Sequence, residues 1–249
     1  SGKTAVVTGA ASGMALLFCK EFVKLGGNVV MTDINRELLE EKAAQINASN
    51  PGRAVFTVCD VRNYKDVCAV TDLAVASYGS IDVMVNLAGG AELRMCHVSG
   101  GEFPDIPIEV YDWGIDVNLK GQLYFAHAVM KQMRDQKSGV IINIGSITGE
   151  EGSAYNVAYA TAKSGAMNGL TKSLALYGAK YGIRCVCVSP GPVLTRPDMV
   201  GLKTALGRAA EPMELVRMLL YVASDEGSFL DGINILMDGG RSIMRNKDI

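Results

Sequence analysis

Three polar residues in the second half of the chain have the types and spacing of an acid–base site. Ser146 follows an apolar run that is predicted to be a buried strand, and Tyr159 and Lys163 lie in a predicted helix. Residues four positions apart are neighbours on one helix face. A cation beside a phenol favours the phenolate and lowers the phenol pKa from about 10, so Tyr159 could exchange a proton with an alcohol or a ketone.

The tyrosine–lysine pair is a weak indicator by itself. Of the nine tyrosines, only Tyr159 has a lysine four positions later. The plain alternative is an amphipathic helix with a surface lysine, and this alternative would be preferred if the pair stood alone. The elements that would have to position the pair therefore decide between the two interpretations.

The composition is that of a globular chain and argues against several classes of protein. The chain is 49% hydrophobic and 20% charged with a net charge of −2, which predicts a sizeable core and no basic stripe for nucleic acid or an anionic membrane. No membrane-length apolar run or signal peptide is found, and we expect a cytoplasmic protein. Six cysteines without a C-x-x-C pair and only two histidines predict reduced thiols and no metal site.

A glycine-containing loop at residues 8–15 separates the first predicted strand from the first predicted helix. Backbone N–H groups at a helix N-terminus attract anions, and Gly9 and Gly13 let the backbone turn tightly and approach a diphosphate. Ser12 and Met14, which flank Gly13, provide no basic group. The loop therefore predicts a dinucleotide site.

Acidic residues end the next two predicted strands. Asp33, followed by Ile34, lies about 20 residues after the loop, where a carboxylate accepts from the adenosine ribose hydroxyls and repels a 2′-phosphate. Nearby Arg36 could serve a 2′-phosphate instead, but NAD is favoured over NADP. Asp33 could also be a turn or cap residue of the following helix. Asp60, followed by Val61, could meet the adenine amino group.

Two further strand ends carry candidates for cofactor binding. The fourth predicted strand runs into small residues that leave room for a cofactor against the backbone, although a tight turn would use the same residues. The sixth predicted strand runs into a proline–glycine turn that could border the nicotinamide. The candidates at these ends are Asn86, Ala88, Gly89, Pro190, Gly191, Val193 and Thr195.

A long helix is predicted over residues 109–133, after an irregular surface segment at residues 93–107. Asn118 is a polar residue in the apolar stripe of this helix. A buried amide must be hydrogen-bonded, for example to a water or a backbone carbonyl. Trp113 is expected to pack rather than to function, and His97 is expected to be a solvated loop residue.

Strands and helices alternate along the whole chain without a linker-like break in composition. This alternation predicts one doubly wound α/β domain over residues 1–249, a Rossmann fold with helices on both faces of a seven-stranded parallel sheet. Ligands of such sheets bind outside the carboxyl ends of the strands. The candidate residues above fall at those ends.

In their order along the chain, these features resemble the short-chain dehydrogenase/reductase family in its compact form. Residues 8–13 resemble its T-G-x-x-x-G-x-G loop, residues 86–89 its N-N-A-G motif, and residues 190–195 its nicotinamide-side turn. Ala15 replaces the last glycine of the loop, and Leu87 replaces the second asparagine of the motif. The catalytic tetrad of the family is matched in order and spacing by Asn118, Ser146, Tyr159 and Lys163.

The resemblance implies an NAD-dependent oxidoreductase that interconverts a secondary alcohol and a ketone by hydride transfer. Tyr159 would be the acid/base, and Lys163 would lower its pKa and hold the nicotinamide ribose. Ser146 would donate a hydrogen bond to the substrate oxygen. Asn118 would hold a water for proton relay. Ser146, Tyr155 and Tyr159 are the expected substrate contacts.

The substrate lid is expected at residues 194–210, a segment shorter than the family usually shows. Tyr155, Leu194, Met199 and Leu202 suggest an apolar wall, compatible with a steroid, an alicyclic or aliphatic alcohol, or a sugar-derived ketone. A second long helix, which carries Tyr159 and Lys163, is predicted over residues 155–181. The resemblance also implies a homotetramer, or a dimer, built through this helix and the helix predicted over residues 109–133.

Two other classes stay open. A sensor could keep the cofactor fold without catalysis, although it would not need the serine, tyrosine and lysine set. An epimerase or dehydratase of the extended relatives would use Tyr159 and Lys163 with tightly held NAD. Those relatives resemble G-x-x-G-x-x-G loops, whereas Gly9 and Gly13 are four positions apart. Net consumption of free NAD separates a dehydrogenase from both.

Overall fold

The computed structural model describes residues 2–195, 199, 201 and 203–244. This part of the chain forms a seven-stranded sheet in the order β3-β2-β1-β4-β5-β6-β7, and all neighbouring strands are parallel. The strands are β1 Thr4–Thr8, β2 Asn28–Asp33, β3 Ala54–Val58, β4 Val83–Asn86, β5 Gly139–Ile144, β6 Ile183–Pro190 and β7 Asn234–Met237. The predicted fold class is confirmed.

Ten α-helices connect these strands in the described residues. They are α1 Gly13–Lys24, α2 Arg36–Ser49, α3 Tyr64–Tyr78, α4 Glu92–Met95, α5 Ile108–Ile115, α6 Gly121–Gln136, α7 Ile147–Glu151, α8 Val157–Gly165, α9 Thr171–Gly178 and α10 Pro212–Ala223. Within the described ranges, none of the helices has the combined length and apolar character that crossing a bilayer requires.

Alternating side chains of the strands bury both faces of the sheet. On β1, Ala5 and Val7 pack into a core with α1, α2 and α10, whereas Val6 packs into a second core with α3, α6 and α9. Successive residues of a strand point to opposite faces, so a strand buried on both faces is an unbroken apolar run. This is why the central strands could be recognised as apolar runs in the sequence.

The two long predicted helices are each interrupted. A π-helical turn, Asp116–Lys120, lies between α5 and α6, and another, Ala166–Leu170, lies between α8 and α9. Apolar spacing does not reveal one widened turn. The prediction that residues 93–107 are irregular was wrong in part, because α4 extends into this range as far as Met95 and a 3₁₀ turn, Phe103–Asp105, lies within it. Such short elements have no periodic pattern.

The loops after the strands gather at one edge of the sheet. After β6, the Gly191 N–H donates to the Met237 carbonyl at 2.9 Å, and Leu194 N donates to the Ala210 carbonyl at 2.9 Å. Of the predicted lid, residues 196–198, 200 and 202 lie outside the described residues. That the chain is a single domain stays a prediction.

Candidate active site

A cleft of about 520 Å³ opens at the carboxyl ends of β1 to β4. Most of the predicted cofactor residues line it: Gly9, Ser12, Gly13, Met14, Asp33, Ile34, Asp60, Val61, Ala88, Gly89 and Thr195. The sequence did not single out the other lining residues as cofactor contacts: Ala15, Thr32, Cys59, Arg62, Leu87, Arg94, Met95, Trp113 and Val117. Trp113 thus both packs against the core and faces the cleft.

The glycine loop is held close to the loop after β4. Gly9 has a φ of 68°, and a Cβ there would lie 3.1 Å from the Ala88 Cα atom, so only glycine fits both the conformation and the space. The Ala88 N–H donates to Thr8 Oγ1 at 2.9 Å. Gly13 has a φ of 56° and open space beside it. The start of α1 is therefore accessible from the cleft.

The first turn of α1 is neither capped by its N-cap side chain nor neutralised by an acidic residue of its own. Ser12 is its N-cap residue but makes no side-chain cap hydrogen bond, and its first turn has no acidic residue. The first N–H groups of a helix have no intrahelical acceptor, and together they favour an anion. This end of α1 fits a diphosphate.

Asp33 connects β2 to the glycine loop. Its Oδ2 accepts from the Ala11 N–H at 3.2 Å, and its Oδ1 accepts from the Asn35 N–H at 3.0 Å. The cap of α2 is Asn35, whose side chain accepts from the Leu38 N–H at 3.0 Å. Asp33 is therefore the turn residue, the cap belongs to Asn35, and the Asp33 carboxylate still faces the cleft.

Asp60 is held by a neighbouring guanidinium group. Arg62 donates from Nε to Asp60 Oδ1 at 3.0 Å and from Nη2 to Oδ2 at 2.6 Å. The hydrogen bond from Arg62 holds the pKa of Asp60 below its ordinary value. Both side chains line the cleft, so an adenine at Asp60 would also meet Arg62.

Lys163 joins the end of β5 to the ring of Tyr159. Its Nζ donates to the Ile144 carbonyl at 2.8 Å and lies 5.5 Å from the centroid of the Tyr159 ring. The residue is only 3% exposed, and burial lowers the pKa of its ammonium group to about 8. The i,i+4 spacing thus places the cation beside the phenol ring.

Ser146 follows β5 and is the N-cap residue of α7. Its Oγ accepts from the Thr148 N–H at 3.1 Å. A hydroxyl that accepts a hydrogen bond still has its own hydrogen to donate. Because Lys163 is bound to the Ile144 carbonyl, the strand end that carries Ser146 is tied to the lysine on α8.

Asn118 is fully buried in the π-helical turn before α6, and its amide is hydrogen-bonded as expected. Its Nδ2 donates to the carbonyls of Gly90 and Gly114 at 3.0 and 2.9 Å, and its Oδ1 accepts from the Gly90 N–H at 3.0 Å. Gln122 donates to the backbone carbonyls of Asn118 and Ile144 at 2.6 and 3.2 Å. A water held by Asn118 stays a prediction.

Several predicted site residues lie outside the lining of the cleft. The Asn86 side chain is buried and donates to Asn143 Oδ1 at 3.1 Å. Tyr155 is 72% exposed. His97 is exposed, as expected for a loop residue, and of the proposed apolar wall Leu202 lies outside the described residues. The remaining predicted cofactor residues not lining the cleft are Tyr159, Lys163, Pro190, Gly191 and Val193.

Sequence reasoning missed Glu92 and Gln122. Glu92 is completely buried at the start of α4, where its carboxylate accepts from the backbone of α8. No local sequence pattern predicts a contact between Glu92 and residues 66 and 67 positions later in the chain. Gln122 had a usable signal, since it lies one helical turn after Asn118 in the same apolar stripe.

A family model described as short chain dehydrogenase matches residues 3–204. The chain is 36% identical to a 3-alpha-(or 20-beta)-hydroxysteroid dehydrogenase of Mycobacterium tuberculosis, over 96% of this chain and 89% of the relative. It is also 36% identical to a trans-4-hydroxycyclohexanecarboxylate dehydrogenase of Sinomonas cyclohexanicum, over 98% of this chain and 94% of the relative.

Solved structures share the fold over nearly the whole chain. An NAD+-bound xylitol dehydrogenase superimposes with a TM-score of 0.85 at 27% identity, covering 96% of this chain and 99% of the other.

Proposed function

The chain belongs to the short-chain dehydrogenase family, and we propose that it is an NAD-dependent oxidoreductase that interconverts a secondary alcohol and a ketone. The observation that carries the proposal is the position of Lys163, whose Nζ is bound to the carbonyl of Ile144 and lies 5.5 Å from the Tyr159 ring centroid. A buried cation beside a phenol, at the end of the strand that carries Ser146, is an arrangement for proton transfer.

The cleft fits a nicotinamide dinucleotide. Its glycine loop presents the uncapped start of α1, where N–H groups favour a diphosphate, and Asp33 offers a carboxylate to ribose hydroxyls. When bound, NAD supplies the hydride acceptor. The carboxylate of Asp33 would repel a 2′-phosphate, which favours NAD over NADP.

The residues of the chain manage the proton and the charge at the substrate oxygen. In the oxidation direction Tyr159 takes the hydroxyl proton, and the adjacent ammonium of Lys163 favours the phenolate that accepts it. Ser146 donates to the substrate oxygen and stabilises negative charge there. In the reduction direction the same phenol returns the proton.

Replacement of Tyr159 by phenylalanine tests the acid/base role. We expect Tyr159→Phe to lower kcat by about 10²- to 10⁴-fold because the acid/base hydroxyl is removed. The Kd for NADH should stay that of the wild type because the rest of the side chain is kept. The assay is NADH formation from a panel of secondary alcohols that includes a hydroxysteroid, a hydroxycyclohexanecarboxylate and a polyol, the alcohol types named by the relatives. Tyr221→Phe on α10 is the matched control, and full turnover by Tyr159→Phe would reject the role.

The charge of Asp33 tests the preference for NAD. Asp33→Asn keeps an acceptor for the Ala11 N–H but removes the negative charge, so we expect the ratio of kcat/KM for NAD over NADP to fall by about tenfold. Asp33→Ala is expected to act in the same direction. An unchanged ratio in both variants would contradict the assignment of NAD.

We also propose assembly into a homotetramer, in a reducing compartment such as the cytoplasm. Support for assembly comes from apolar side chains exposed on α6 and α9, including Leu123 and Leu176, the latter 83% exposed. Support for the compartment comes from six unpaired cysteines. Sedimentation of the wild type tests the assembly, and a purely monomeric species would contradict it.

A further inference from the structure

Helix α8 carries Tyr159 in its first turn, but its own N-cap residue does not cap it. The Asn156 side chain makes no cap hydrogen bond, and the first turn contains no acidic residue. Among the described residues, the buried Asn156 Oδ1 has no hydrogen-bond partner. The first N–H groups of a helix need acceptors from outside the helix, so α8 depends on another element.

Glu92 of α4 supplies these acceptors from 66 positions earlier in the chain. Its Oε1 accepts from the Ala158 N–H at 3.0 Å, and its Oε2 accepts from the Tyr159 N–H at 3.2 Å. The residue is 0% exposed. A carboxylate at a helix N-terminus is favoured by the helix dipole, and charge-assisted hydrogen bonds are stronger than neutral ones.

The packing around Glu92 is close. A Cβ at Gly114 of α5 would lie 2.8 Å from the Ala158 Cβ and 3.2 Å from the Glu92 Cβ. The absence of a side chain at residue 114 therefore lets α4, α5 and α8 approach one another around the carboxylate. In the same short helix, Arg94 and Met95 line the cofactor cleft, so α4 joins that cleft to the start of α8.

We propose that Glu92 is a positioning residue for the oxidoreductase reaction, acting through the backbone of Tyr159. Its two hydrogen bonds fix the position of the first turn of α8 and hence the point from which the Tyr159 side chain extends towards Lys163. This inference rests on the proposed function for its consequence in turnover. The hydrogen bonds themselves are testable without turnover.

The first test measures amide hydrogen–deuterium exchange in the peptide that spans residues 157–163. In Glu92→Gln, which keeps the side-chain size but can satisfy only one N–H, we expect exchange about tenfold faster there than in the wild type. The matched control is Asp82→Asn, because Asp82 accepts from the Thr4 N–H at 2.7 Å at the opposite edge of the sheet. The control should leave this peptide as protected as in the wild type. Wild-type protection in Glu92→Gln would overturn the proposal.

The second test separates turnover from cofactor binding. With an alcohol that the wild type oxidises, Glu92→Gln should lower kcat by about tenfold to a hundredfold, while the Kd for NADH changes by less than about twofold. A wild-type kcat would overturn the proposal, as would a fall in kcat matched by Asp82→Asn. A merely structural role would lower the thermal midpoint of both variants without this kinetic difference.

A shorter carboxylate gives a second variant in case Glu92→Gln does not fold. Glu92→Asp keeps the charge but lacks one methylene group, so it cannot reach both N–H groups, and we expect intermediate exchange and kcat. Wild-type values of both would overturn the proposal. If the wild type oxidises no alcohol in the panel, the proposed function fails, whereas the exchange measurement still decides whether Glu92 holds α8.

Discussion

Helices α1 and α8 differ in whether the protein supplies hydrogen-bond acceptors for their N-terminal N–H groups. Helix α1 begins at Gly13, its N-cap residue Ser12 makes no side-chain cap hydrogen bond, and its first turn has no acidic residue. The N-cap residue of α8, Asn156, also makes no side-chain cap hydrogen bond, but the buried Glu92 accepts from two N–H groups of this helix. Both ends carry the same partial positive charge. In the proposed function the N–H groups of α1 bind the cofactor, whereas Glu92 accepts from those of α8.

This difference in capping corresponds to the different proposed roles of the two N-termini. If α1 binds a diphosphate as proposed, its N-terminal N–H groups must stay available, and the helix then lacks the stabilisation that a cap provides. An N-terminus that carries a reacting side chain gains from a fixed position, because misplacement of about 1 Å costs rate. Substitutions that cap α1, or that disturb the position of α8, should therefore have different effects.

Closing the start of α1 should have the largest effect on cofactor binding. In Ser12→Asp a carboxylate can cap the helix, so we expect higher thermal stability but weaker binding of NADH by about a hundredfold, because the new charge repels the diphosphate. NADH fluorescence titration measures the Kd. Ser12→Asn can cap the helix in the same way but adds no charge, so it should weaken NADH binding much less than Ser12→Asp does. Equal affinity in both variants would contradict an anion site at α1.

Replacing the buried cation in the last turn of α8 should remove activity but raise stability. Lys163→Met is expected to remove turnover and to raise the free energy of unfolding at pH 7 by about 1–3 kcal/mol. Burial lowers the pKa of Lys163 to about 8, and the lost hydrogen bond to Ile144 offsets part of the gain.

The pH dependence of that gain follows from the direction of the shift. Between pH 8 and the ordinary lysine pKa of about 10.5, the folded wild type holds fewer protons than the unfolded chain, so rising pH stabilises it. The advantage of Lys163→Met should therefore shrink across this window and vanish above it. Denaturant unfolding at several pH values measures this, and an advantage that grows with pH would contradict it.

Crowding the contact between α5 and α8 should have a smaller effect. The added methyl group in Gly114→Ala would lie 2.8 Å from the Ala158 Cβ, so α5 and α8 must move apart. We expect kcat to fall by about tenfold with an unchanged Kd for NADH. Gly169→Ala is the matched control, since a Cβ there has no neighbour within 4 Å. Equal kcat values in the two variants would show that this contact does not position Tyr159.

The N-terminus of α1 could be predicted from the sequence, whereas the contact between Glu92 and the N-terminus of α8 could not. Gly9, Gly13 and the apolar run before them are local in the chain, so their pattern indicated a strand, a loop and a helix. The i,i+4 spacing likewise placed Lys163 beside Tyr159. By contrast, Glu92 contacts α8 only because the sheet brings the loop after β4 next to it.

Side-chain direction was also beyond the sequence at one strand end. Asn86 ends β4 as expected, yet its amide turns into the sheet interior and bonds to Asn143. A strand pattern gives the face to which a residue belongs, whereas a partner on the neighbouring strand decides where its amide points.

The most direct test is a side-by-side NADH titration of Ser12→Asp and Glu92→Gln. We expect the Kd for NADH to rise by about a hundredfold in Ser12→Asp and to stay within about twofold of the wild type in Glu92→Gln, because only the first change puts a charge at the proposed diphosphate site. Equal losses of affinity in the two variants, or a loss in Glu92→Gln alone, would contradict this assignment. The N-terminus of α1 would then not be the cofactor site, or Glu92 would not act only on the position of Tyr159.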